Sequence, residues 1–260
     1  MSWIGWATHW EFEPSVWIGC AIAIAAYRWF PGARRDRRAL LWVAGVLLVF
    51  VALESAIDIV GDRSLFWVHM AQHLILAMVA PPLMILGLPP ASVDALLRGR
   101  AGNAVRVLVN PFFAGSAYFL VLVAWHWPAF FDYALSHPLA HVAQHLSFIA
   151  VGLLFWWAVI IHRPGETWSL GPIGEIAYLT FGAIPAVVVG LTLALLPRPV
   201  YTFYLQRAPL MGISALADQR LGGLIMFLFD NLLMVTVAGY YLWRIFPADG
   251  ADEARIRAKP

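Results

Sequence analysis

Two short stretches of this chain carry residue types and spacings suited to holding a metal ion. His69-Met70-Ala71-Gln72-His73-Leu74 recurs with one change, 72 residues later, as His141-Val142-Ala143-Gln144-His145-Leu146. In each copy two imidazoles stand four residues apart, so on a helix they share one face. Four neutral imidazoles with carboxylates nearby suit copper, zinc or iron. Haem held by histidines from two helices is a second reading, and a structural polar network a third. Met70, Met226 and Met211 fall near the same level, and thioether sulfur favours Cu(I). Gln72 and Gln144 are candidates to orient ring nitrogens from behind.

The elements that position these residues are membrane helices. Of the 260 residues 62% are hydrophobic and only 12% charged, and the mean hydropathy is +0.75. Soluble domains have about 45–50% apolar and about 25% charged residues. The expectation is an all-α integral membrane protein, a single domain over 1–260. Seven spans are expected, at about 14–30, 39–60, 67–88, 107–129, 139–161, 174–196 and 221–245. Pro81-Pro82 and Pro185 should kink the third and sixth, because proline donates no N–H. Cys20, the one cysteine, cannot form an intrachain disulfide. Trp3 to Glu13 lacks the basic start of a signal peptide and reads as an interfacial segment.

Basic residues set the orientation. Thirteen fall on one side (Arg28, Arg34, Arg35, Arg37, Arg38, Arg98, Arg100, Arg106, Arg163, Arg244, Arg255, Arg257, Lys259) and four on the other (Arg63, Arg198, Arg207, Arg220). The N-terminus is therefore expected outside and the C-terminus in the cytoplasm. Spans three, five and seven then start at the outer face, so His69, His73, His141 and His145 share one outer layer. These four are the expected metal ligands. Additional ligands or supporting groups at that level are His126, Glu54, Asp58, Gln72, Gln144, Asp218 and Met226. Asp218 also reads as a cap for span seven. His137 is assigned to its loop, His9 to the headgroups and His162 to a solvated helix end. Asp230 is expected to bond a neighbouring helix.

The repeat extends weakly backwards. Glu54 precedes His69 by the same 15 residues by which His126 precedes His141. A two-helix unit, used twice in parallel, fits this spacing. Parallel repeats also occur in transporters, but the polar groups crowd one face, which argues against a through-path. No nucleophile–base set, phosphate loop or nucleotide motif is visible, so an enzyme is not expected. Nothing points to nucleic acid.

From Phe66 to Trp243 the chain resembles the multi-span CtaG family of cytochrome c oxidase assembly factors. The resemblance rests on the two histidine motifs, Ala80-Pro81-Pro82-Leu83, Trp125-His126-Trp127-Pro128, Tyr133-Ala134-Leu135 and Phe155-Trp156-Trp157. It closes on Pro197-Arg198-Pro199-Val200-Tyr201 and on the run from Asp218-Gln219-Arg220 to Met226. It implies a multi-pass protein of the bacterial inner membrane that helps mature a haem–copper oxidase. Its expected partners are oxidase subunits or other copper carriers, besides the lipid bilayer. Copper, held transiently, is the expected cargo, with haem or zinc as lesser alternatives. A haem b cytochrome or a metal transporter is the alternative function.

Overall fold

The computed structural model describes residues 10–163, 166, 169–207 and 212–245. His9, Met211, Arg255, Arg257 and Lys259 lie outside the described residues. Among those described, the regular structure is entirely helical. The helices are α1 (Pro14–Ala26), α2 (Arg37–Glu54), α3 (Ala56–Arg63), α4 (Phe66–Leu74), α5 (Ala80–Gly87), α6 (Pro90–Leu96) and α7 (Gly99–Leu108). They continue as α8 (Pro111–Trp125), α9 (Pro128–Ser136), α10 (Pro138–Ile160), α11 (Pro172–Leu195), α12 (Thr202–Leu205) and α13 (Ala215–Ile245). Proline opens many of them, where its missing N–H costs nothing and its fixed φ suits the first turn.

Among the described residues, four stretches are long and apolar enough to cross a membrane: Phe66–Gly87, α10, α11 and α13. Two bent pairs, α2 with α3 at 43° and α7 with α8 at 57°, bring the number to six. This is a membrane protein with four to six candidate spans among the described residues, against the seven expected. The first expected span is the shortfall. Helix α1 has 13 residues, about 20 Å of rise against a hydrocarbon core of about 30 Å. The expected spans at 39–60 and 107–129 are not straight. Ser55 takes extended backbone angles and caps α3 through Ile57 N–H at 3.2 Å. Asn110 does the same for α8 at Phe112 N–H, 3.0 Å away.

The prolines act differently from one another. Ahead of Pro81-Pro82 the chain widens into a π turn, Ile75–Val79, between α4 and α5. Pro81 cannot donate to the Ala77 carbonyl, and the wider turn accommodates that loss. Pro185, by contrast, lies inside a continuous α11.

Two glycines press the site-bearing helices together. A Cβ on Gly152 of α10 would lie 2.5 Å from the Ala77 carbonyl oxygen and 2.9 Å from Pro81 Cγ. A Cβ on Gly61 of α3 would lie 3.0 Å from the His69 backbone nitrogen. Small residues are what allow such approaches between membrane helices, where packing rather than water exclusion drives association. Below the histidines, one buried core runs from Ala52 to Tyr241 and includes Phe148, Phe155 and Trp156.

Candidate metal centre

His69 and His73 are the fourth and eighth residues of α4, and His141 and His145 the fourth and eighth of α10. The i, i+4 spacing brings each pair together, with ring centroids 4.2 Å apart in both, edge-on at 70° for His69 and His73 and tilted at 57° for His141 and His145. Across the two helices, His69 and His141 stack at 5.5 Å and 19°, and His73 meets His145 at 5.5 Å. The structure therefore brings all four together. Ligand nitrogens of His69, His141 and His145 lie within 4.8 Å of one another. Bonds of about 2.0–2.1 Å put two ligands of one metal ion at most about 4.2 Å apart, so a small contraction closes the triad on an ion. His73 falls outside that triad. His126, the C-cap of α8, completes the cluster with its ring 5.9 Å from that of His73.

Asp62, at the end of α3, holds two of these rings from behind. Its Oδ1 lies 2.9 Å from His69 Nδ1 and its Oδ2 lies 3.3 Å from His141 Nδ1. A carboxylate on Nδ1 fixes the proton there and leaves Nε2 with a free lone pair. His126 is fixed likewise, with Nδ1 2.7 Å from the Leu122 carbonyl oxygen. The Nε2 atoms of His69, His126, His141 and His145 are buried without a hydrogen-bond partner, as are both ring nitrogens of His73. Buried polar atoms are nearly always satisfied, and each one left bare costs about 1–3 kcal/mol. Among them the ligand nitrogens of His69, His141 and His145 lie close enough together to fit a cation. Asp62 is not among the residues that the sequence repeat picks out, although its spacing of four from Asp58 was a signal.

The other expected site residues have specific partners. Asp58 accepts from Gln72 Nε2 at 2.6 Å, and the same nitrogen donates to the Ala52 carbonyl at 2.9 Å. Gln72 thus ties α4 to α2 and α3 rather than supporting a ring. Gln144 is fully buried with neither amide atom paired. Glu54 is taken up elsewhere, accepting from Trp17 Nε1 at 2.8 Å and from Glu13 N–H at 3.2 Å. Asp218 caps span three rather than span seven. It accepts from the N–H groups of Phe66 (2.8 Å) and Trp67 (3.0 Å) at the start of α4. Met226 is buried in the core.

An aromatic cover closes over the cluster. Phe131 of α9 lies 5.4 Å from His69 and 4.2 Å from Tyr201. Tyr201 donates to the His126 carbonyl at 2.9 Å, and Tyr204 to the Gly61 carbonyl at 2.7 Å. Asp132 fixes this connection through Thr202 N–H and Oγ1 at 2.9 and 2.6 Å. Phe131, Asp132 and Tyr204 were not singled out from the sequence.

Of the remaining polar groups, His137 is the single residue between α9 and α10 rather than part of a loop, and its Nδ1 bonds the Tyr133 carbonyl at the end of α9 at 2.9 Å. Asp230 accepts from Tyr118 of α8 at 3.3 Å, a bond between helices. His162 is not merely a solvated helix end, because it pairs with the buried Glu175.

A bundle of apolar helices with a covered histidine cluster between two of them defines a membrane protein with a candidate metal-holding centre. Residues 21–247 match the family model described as cytochrome c oxidase caa3 assembly factor, and this chain belongs to that family. It is 27% identical over 268 residues to uncharacterized proteins of Mycobacterium bovis and Mycobacterium tuberculosis, covering 91% of this chain and 39% of each. An uncharacterized protein of Mycobacterium leprae is 24% identical over 262 residues, covering 88% of this chain and 38% of that one. The chain therefore spans about two fifths of the length of these relatives. No solved structure is significantly similar to it.

Proposed function

We propose that this protein holds copper in the histidine cluster and supplies it to a cytochrome c oxidase during assembly. The observation that carries the reading is the set of unpartnered, buried Nε2 atoms on His69, His141 and His145, two of them backed by Asp62. Family membership supplies the context of oxidase maturation, and the all-imidazole donor set suits copper. Close packing weighs against haem. The pairs wide enough for two axial ligands are His69 with His145 and His73 with His126, at 5.9–6.0 Å. They are crowded by other histidines at 4.2 Å and by Phe131 and Phe148 at 5.4 and 4.5 Å, which fill the slot a porphyrin plane would need. The family role and the absence of a nucleophile–base pair in the sequence favour a holding protein over an enzyme.

The rest of the reading is topological. The protein sits in the bacterial inner membrane, with α1 and its adjoining turn as a thin seventh crossing and the histidine cluster facing outside. The split of thirteen basic residues against four supports that orientation.

The test is genetic. In cells whose only copy carries His145→Ala, the protein should remain in the membrane at normal abundance, since insertion depends on apolar faces the change leaves alone. Cytochrome c oxidase activity should fall, and added copper should restore part of it. Normal activity with abundant His145→Ala protein would refute copper supply.

A further inference from the structure

The outer triad uses three of the cluster's bare nitrogens, and three more remain: His126 Nε2 and both ring nitrogens of His73. These belong to residues only 6% and 5% exposed. Occupying the triad does nothing for them. The Leu122 carbonyl fixes the His126 proton on Nδ1, so its Nε2 is an acceptor, and it is buried with no donor bonded to it. A neutral His73 carries one N–H and one lone pair, so together with His126 Nε2 the two rings hold two buried lone pairs without a hydrogen-bond partner, which a bound cation would satisfy.

The geometry limits what that cation is. A metal–nitrogen bond of about 2.0–2.1 Å plus roughly 1 Å from nitrogen to ring centre places two imidazoles on one ion with centroids at most about 6.2 Å apart. His73 and His126 stand at 5.9 Å, with their rings at 89°. That separation is near the upper limit, which corresponds to a wide N–metal–N angle. No third ligand joins them in a compact group; among the described residues only His69, His141 and His145 form one. Two nitrogen donors at an open angle suit closed-shell Cu(I), which accepts two-coordination, whereas zinc demands four ligands.

We propose that His73 and His126 form a second, inner Cu(I) position beside the outer triad, so that the cluster holds two copper ions at once. The inference rests on the copper reading above. His141, the most exposed of the five at 16% of its side chain, places the triad toward the surface. His73 lies one helical turn beyond His69 on α4, His126 meets it from the end of α8, and Phe148 covers them, 4.5 Å from His73 and 6.1 Å from His126. His145, 5.5 Å from His73, belongs to the triad and lies beside the inner pair, so an ion moving between positions never leaves histidine.

The test is the stoichiometry of Cu(I) binding by full-length protein purified in detergent without oxygen. Copper is counted by elemental analysis after dialysis against a buffered Cu(I) chelator. Wild type should bind two ions, His126→Gln one, His141→Gln one, and the double variant none. Glutamine keeps polar bulk at each site, and a thermal melt of each variant checks folding. One ion in wild type, with His126→Gln unchanged, would overturn the second position while leaving the copper reading intact. No copper in wild type would overturn that reading and this inference with it.

Discussion

The Nδ1 of His69 lies 2.9 Å from Oδ1 of Asp62, seven residues earlier and on a different helix. Through its other oxygen the same carboxylate reaches His141, so one side chain orients one ring from each copy of the repeat. Asp62→Asn should keep the shape and lose the fixed tautomers. Because supporting groups of this kind are typically worth 10–100-fold in metal affinity, copper affinity should fall by about that factor. Competition with a chromogenic Cu(I) chelator measures it, and unchanged affinity would mean the pairing is incidental.

Asp218→Ala should destabilise the fold. It strips the cap from two N–H groups at the start of α4, at a cost of about 1–3 kcal/mol. The melting temperature in detergent should drop, and Asp218→Asn should recover part of the loss because its amide oxygen still accepts. Equal melting of the Asp218→Ala variant and the wild-type protein would show that water satisfies those groups instead.

Gly152→Ala should loosen the two histidine-bearing spans. The added methyl meets the Ala77 carbonyl at 2.5 Å, and overpacking of this kind costs about 1–3 kcal/mol. Lower thermal stability together with weaker copper binding is expected. A loss of stability alone would mean the site tolerates the shift.

Reporter fusions test the topology. A fusion after Arg100 should report the cytoplasm and one after Asp132 the periplasm. A periplasmic signal at Arg100 would invert the orientation and place the histidine cluster on the cytoplasmic side.

The membrane class and the helical fold were legible because they follow from composition and periodicity, and the repeat with the basic-residue split put His69, His73, His141 and His145 in one layer; that His69, His141 and His145 close into a compact group without His73 was not. What was not legible depends on pairings across long sequence separations. Asp218 and Phe66 are 152 residues apart, and no local pattern distinguishes a cap on its own helix from a cap on another. Glu54 and His126 hold equivalent places in the repeat, yet His126 faces His73 while Glu54 bonds Trp17. The break at Ser55 accounts for part of this. It turns α3 by 43° from α2, and Asp62 rather than Glu54 reaches the histidines. The shortness of α1 was hidden too, because the apolar run continues past Ala26 while the helix tightens into a 3-10 turn at Tyr27–Trp29.

The most direct measurement of the central claim is copper K-edge X-ray absorption on the protein isolated from its own membranes. The expected spectrum has a nitrogen shell at about 2.0 Å with the outer-shell scattering of imidazole rings, and that signal should disappear in His69→Ala/His141→Ala/His145→Ala protein that remains folded. Copper bound through sulfur or through oxygen alone, or an imidazole signal unchanged in the triple variant, would contradict a copper-holding histidine centre.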